Sequence, residues 1–248
     1  MIRGRPFARR APVGGAAGAA APSTPLTIIS SVPVLAWFRG DLGITIATGV
    51  AAWANQQAGQ PTFDMNQGTG GLQPSFNATG GPNSTPIVTG AGVSPFLLSP
   101  YTPVAPATTN LFFWLIFRRD VASIGNEAIV TASGASTNRF SVRHSTGNVG
   151  AINGTALTVA MAATVWRRAE VNWTGSVADY LKIGSTQNGP GVTMGNNAAT
   201  GALSMFATST GVLPGASSIA ELVITQGAPT ELAALNTYCD TRYGAGLT

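Results

Sequence analysis

The chain has 248 residues, of which 13 are Lys or Arg and 9 are Asp or Glu, so only 9% are charged against roughly 25% in an ordinary soluble domain. Its one Cys (Cys239) and one His (His144) exclude an intrachain disulfide and a Cys/His zinc site. The longest uninterrupted apolar run, Leu111 to Phe117, is seven residues, far short of the roughly 20 that cross a bilayer as a helix, so no membrane partner is expected.

The formal net charge of +4 belongs to the first ten residues, where Arg3, Arg5, Arg9 and Arg10 stand without an acid and leave nine basic and nine acidic groups for the remainder. From Ala11 through Pro25 the composition is Ala, Gly, Pro, Ser and Thr, with Val13 the only larger apolar residue, which describes an extended arm over 1–25 with no core of its own. A secretory signal fits poorly, because Pro12, Gly14, Gly15 and Gly18 interrupt its apolar stretch. The pair Arg9-Arg10 raises a twin-arginine variant, phosphate contact without sequence reading is another use of four arginines, and a disordered tail is the bland alternative. A polar, Gly-rich segment offsets its ordering entropy only when something else holds it. The reading adopted is an arm docked on a partner through Arg3, Arg5, Phe7, Arg9 and Arg10, with no sequence-specific nucleic-acid contact.

Residues 26–248 alternate short apolar runs with turn clusters, the pattern of many strands joined by loops. Strands are expected at 34–38, 49–54, 86–88, 96–99, 110–118 and 128–132, then at 139–144, 165–173, 178–183, 203–207 and 219–225. The Gly-, Asn- and Pro-rich stretch 56–86 reads as surface loops with one or two short strands. Seven successive apolar positions in 111–117 require cover on both faces of that strand. The mixture of large apolar and charged residues in Trp166–Trp173 suggests a half-exposed strand. The one helical signal is C-terminal, at about 229–243: Pro229 suits the first turn, Leu232, Leu235 and Cys239 recur at helical spacing, and Gly244 suits the stop.

Catalytic motifs are absent. His144, in Arg143-His144-Ser145-Thr146-Gly147-Asn148, reads as an exposed turn histidine, since no Gly-x-Ser-x-Gly nucleophile accompanies it. Cys239 reads as a buried, inert thiol. Gly68-Thr69-Gly70-Gly71 and Gly90-Ala91-Gly92 lack the ending of a phosphate loop. No catalytic, cofactor or metal residue is assigned. The five tryptophans, Trp37, Trp53, Trp114, Trp166 and Trp173, could stack on sugars but belong more naturally to a sandwich core or its rim.

The ending Ser218-Ile219-Ala220-Glu221-Leu222-Val223-Ile224-Thr225, followed by Ala228-Pro229-Thr230-Glu231-Leu232, Leu235-Asn236-Thr237-Tyr238 and Arg242-Tyr243-Gly244, resembles the close of concanavalin A-like or laminin G-like jelly-roll domains, including those of tailed-phage virion proteins. Looser matches are Leu35 to Gly43, Ala52 to Asn55, and Trp166 to Lys182. The resemblance implies an all-β jelly-roll sandwich with one short C-terminal helix. The carboxylate clusters of calcium-binding members and the Glu-x-Asp-x-x-Glu pattern of glycoside-cleaving members are missing here. The function expected on this basis is non-catalytic: a capsid decoration (cement) protein on the outer surface of a virion. Its partners would be the major capsid protein, other virion proteins or further copies of the chain. The alternatives are a carbohydrate- or receptor-binding module with a glycan partner and, in third place, a glycan-active enzyme whose carboxylates come from distant strands.

Overall fold

The computed structural model describes residues 23–91, 95–121, 127–134 and 140–247. After the short helix α1 (Pro25–Ile28) come strands β1 (Val34–Arg39), β2 (Ile44–Ile46), β3 (Val50–Trp53), β4 (Met65–Asn66), β5 (Ser75–Asn77), β6 (Ile87–Ala91) and β7 (Leu97–Leu98). Helix α2 (Pro106–Thr109) leads into β8 (Leu111–Arg119), β9 (Glu127–Thr131), β10 (Ser141–Ser145), β11 (Asn148–Ile152) and β12 (Ala156–Ala160). The chain continues through β13 (Trp166–Trp173), β14 (Tyr180–Ile183), β15 (Thr186–Asn188), β16 (Ser204–Met205) and β17 (Ala216–Gln226) to α3 (Leu232–Tyr243).

The strands form two antiparallel sheets, an all-β sandwich. The first runs β15-β14-β13-β8-β17-β6-β5, with β1 also on β17; the second runs β12-β11-β10-β9-β16-β7-β4-β3-β2. Strand β17 is long enough to pair with β8 along one edge, while β6 and then β1 share the other. Between the sheets, alternate residues of β8 (Leu111, Phe113, Leu115, Phe117) pack with Trp53, Trp173, Phe140 and Met205. The opposite face of β8, with Phe112, Trp114 and Ile116, packs beneath Leu235, Tyr238, Cys239 and Tyr243 of α3. This arrangement explains the unbroken apolar run: one face fills the sandwich and the other carries the helix.

The expected strands are all present within a few residues. Of the six that sequence reading did not place separately, β4 and β5 lie in the stretch expected to hold one or two short strands. Helix α3 begins at Leu232, after Pro229, and ends at Gly244 with a positive φ of 88°. Strand β13 corrects the expectation of half exposure, since Arg168 through Trp173 are buried. Its outward Arg168 and Glu170 face each other at 3.5 Å, Lys182 lies 3.6 Å from Glu170, and the segment after α3 covers them, with the Arg168 N–H donating to the Leu247 carbonyl. His144 is likewise no turn residue. It lies inside β10, fully buried, with its ring edge-on to Phe117, and burial followed by the nearby Arg119 charge takes its pKa down to about 3.

Phe113 meets Trp173 edge-to-face at 4.9 Å between ring centroids. Replacing Phe113 by Ala should cost about 3–5 kcal/mol in urea unfolding. Thr158→Ala, on the exposed face of β12, should stay within about 0.5 kcal/mol of the parent. Equal effects at the two positions would contradict this assignment of the core.

Candidate functional site

A buried carboxylate organises the helix-covered face of the first sheet. Counting forward from Ile219, which faces the sandwich interior, simple alternation would turn Glu221 inward among apolar side chains. A bulge between Ile219 and Glu221, where β17 passes β8 from Phe117 to Ile116, inserts Ala220 and turns Glu221 toward α3 instead. There the Trp37 indole N–H donates to Oε1, the Tyr238 hydroxyl lies 3.0 Å from both oxygens, and the Tyr243 hydroxyl lies 2.6 Å from Oε2. Among the described residues no cation is bonded to it. Burial raises the Glu221 pKa, an effect only partly offset by the hydrogen bonds from Tyr243, Trp37 and Tyr238.

Beside this cluster lies a cleft of about 710 Å³ bounded by Thr24 and Ile28 around α1, Arg39 at the end of β1, Thr85 before β6, and Tyr238 and Arg242 of α3. Arg39 stands opposite Glu221 in the β1–β17 register, and its guanidinium lies 5.2 Å from the centroid of the Trp37 ring. Asp41, in the turn after β1, accepts from Arg39 Nε at 2.6 Å and from Arg242 Nη2 at 2.9 Å. Burial would raise the Asp41 pKa, but the hydrogen bonds and charges of Arg39 and Arg242 hold it below the usual carboxylate range. The turn is fixed from the other side by Gly40, where a Cβ would fall 2.2 Å from the Pro86 carbonyl oxygen.

A second groove, of about 500 Å³, runs past Asn66, Phe96 and Leu98 on the other sheet. Its inner polar groups are already used: Gln67 Nε2 donates to the Phe96 carbonyl, Gln67 Oε1 accepts from the Thr69 N–H, and Ser99 Oγ donates to the Thr62 carbonyl. The arginine-bearing cleft is therefore the better candidate for binding a ligand.

Sequence reading named no residue of this cleft as a site, although Trp37, Arg39 and Asp41 lie in one of the quoted matches and Glu221, Tyr238, Arg242 and Tyr243 in another. The available signal was an acid in the middle of an apolar strand. The residues assigned to the docked arm, Arg3, Arg5, Phe7, Arg9 and Arg10, lie outside the described residues. Trp37, Trp53, Trp114 and Trp173 are buried, which removes them from sugar stacking. Cys239 is buried and free, and burial pushes its thiol up to about 12.

No protein-family model matches the chain, and no curated protein matches it. Solved structures do. A Trypanosoma rangeli sialidase in complex with sialic acid superposes with a TM-score of 0.60 at 10% identity, over 93% of this chain and 37% of the sialidase. The binding domain of Paraclostridial Mosquitocidal Protein 1 gives 0.53 at 8% identity, over 84% of this chain and 52% of that one. The botulinum neurotoxin serotype G binding domain gives 0.56 at 8%, over 84% and 51%. The chain thus spans between a third and about half of these proteins, and at such identities the likeness establishes the β-sandwich fold alone. It also overturns the expectation of a capsid decoration protein, because these neighbours are sialidase chains and toxin binding domains. The physical reason for the miss is that Glu221, Tyr238 and Tyr243, the core of the motif behind that expectation, hold a helix on a sheet and carry no information about the setting in which the fold is used.

The start of α3 is tied to the chain entering β1 by a second carboxylate. Glu231 accepts from the backbone and hydroxyl of Ser30 (3.0 and 2.7 Å) and from the backbone and hydroxyl of Ser31 (2.9 and 2.5 Å). The hydrogen bonds from Ser31 and then Ser30 hold its pKa down to about 2, against an ordinary value of 4.5. A depressed folded-state pKa contributes stability that is complete above the unfolded value and is lost as pH falls through the folded one. The thermal midpoint of Glu231→Gln should therefore lie below the parent's above about pH 5, and the gap should close toward about pH 2. A gap that does not change with pH would contradict the role given to this carboxylate.

Proposed function

We propose that the chain is a non-catalytic glycan-binding module of the lectin-like β-sandwich kind, with its ligand in the cleft between α1, β1 and α3. The laminin G-like jelly roll that its closing residues resemble is the finer form of this reading. The observation that carries it is the composition of the cleft: guanidinium groups from Arg39 and Arg242 stand beside the apolar surface of Ile28 and Ala234. A sugar requires both, directed donors for its oxygens and apolar contact for its C–H faces. The sialic acid complex of the sialidase and the binding domains of the two toxins support a glycan-related or binding role for this architecture.

The acids near the cleft favour binding over catalysis. Asp41 is clamped by two guanidiniums, and Glu221 is sealed behind Trp37, Tyr238 and Tyr243. Glycoside hydrolysis needs two carboxyl groups flanking the scissile bond, and neither of these is placed to serve.

Ala234 is exposed on α3, so Ala234→Trp should fill the cleft without disturbing the Glu221 cluster. The full chain should bind a subset of a glycan array. The Ala234→Trp protein should lose that binding while keeping the parent's thermal midpoint, and Phe96→Ala, in the second groove, should retain it. Specific binding that survives Ala234→Trp would place the site elsewhere, and release of sugar from a bound glycan would contradict the non-catalytic assignment.

A further inference from the structure

Arg39 spends its Nε on Asp41, and Arg242 spends Nε on the Tyr243 hydroxyl and Nη2 on Asp41. Among the described residues Nη1 of Arg242 has no hydrogen-bond partner, and the terminal nitrogens of Arg39 have only the Tyr238 hydroxyl near them. The two side chains line the cleft and retain 15% and 23% of their exposure. Two guanidiniums thus share one open carboxylate. The other acid of the cluster, Glu221, is fully buried and turns its oxygens to Trp37, Tyr238 and Tyr243, so it presents no acceptor to the cleft.

Asp41 shows what this pair recognises, because it is a carboxylate bridging both guanidiniums from the turn after β1. The unused nitrogens repeat the same offer, planar and directed, in space that is otherwise apolar or hydroxylated. We propose that the cleft selects acidic sugars, binding the carboxylate of a sialic or hexuronic acid through Arg39 and Arg242 while the ring lies against Ile28 and Ala234. This inference rests on the glycan-binding reading and adds the class of sugar to it. A fork of charged donors suits a planar carboxylate better than a neutral hydroxyl, and among the described residues Asp41 is the one acid that shares this pair.

The test compares galacturonic acid with its methyl ester, which keeps the ring and hydroxyls and loses the charge, using calorimetry on the full unmodified chain. The acid should bind about tenfold more tightly or better, and added salt should narrow the difference. Arg242→Gln should abolish the preference. Because that variant also removes a contact to Asp41, Arg39→Lys serves as a second probe: it keeps the charge, loses the fork, and should reduce the preference without abolishing it. Equal affinity for acid and ester would overturn the inference while leaving the glycan reading intact. Acetate binding as tightly as galacturonic acid would overturn the sugar part of the inference. Absence of binding by acid, ester and neutral galactose oligomers alike would count against the glycan reading itself.

Discussion

A carboxylate with no cation bonded to it among the described residues, fully enclosed between a sheet and a helix, is the constraint on which the rest of this structure turns. Removing such a group from water costs several kcal/mol, so Glu221 persists only because three donors converge on it. One comes from β1 (Trp37) and two from α3 (Tyr238 and Tyr243), while the acid belongs to β17. The first strand is thereby held to the last strand and helix in one geometry, and the cleft draws on two of these elements: Arg39 follows Trp37 by two residues on β1, and Arg242 precedes Tyr243 on α3.

The dependence extends to both ends of α3. At its start, Glu231 binds Ser30 and Ser31; near its end, the Arg242 carbonyl accepts from Asn83 Nδ2 at 3.3 Å, and the Arg242 side chain reaches Asp41. The helix is amphipathic in what it buries more than in its composition, with Leu235, Tyr238, Cys239 and Tyr243 seated on Phe112, Trp114 and Val223. Burial of that apolar surface supplies the drive for docking, and the Glu221 cluster fixes where the helix docks. Since Arg39 and Arg242 approach each other only when it docks there, recognition at the cleft follows from the fold of the sheet-helix layer.

Much of this architecture was legible in the sequence. Short apolar runs and turn clusters marked eleven of the strands, and seven apolar residues in a row identified β8 as covered on both faces. The strands that escaped are short or made of small residues: β11 and β12 are rich in Gly, Ala and Thr, and their pairing shows in the sheet more than in either segment alone. The bulge at Ala220 was also out of reach, because strict alternation along β17 gives no sign of the extra residue that turns Glu221 outward. Buried charge was misjudged for a related reason. Arg168, Glu170 and His144 read as solvent-facing because their cover comes from distant segments, α3 with the residues after it and the opposing sheet. The cleft combines parts of two matches nearly 200 residues apart, and no spacing rule joins Arg39 to Arg242. The closing motif carried the fold correctly and the virion setting wrongly, as expected of residues whose work is to pin a helix.

Glu221 pins α3 to the sheet through the donors of Trp37, Tyr238 and Tyr243. The most direct measurement is urea unfolding of Glu221→Ala and Glu221→Gln, with amide hydrogen exchange followed along α3. The alanine variant leaves the Trp37, Tyr238 and Tyr243 donors facing an empty space; at about 1–3 kcal/mol for each unsatisfied buried group, it should lose roughly 3 kcal/mol or more and lose exchange protection first in α3. The glutamine variant keeps an acceptor and should fall between it and the parent. An alanine variant within about 1 kcal/mol of the parent, with α3 still protected, would contradict the account.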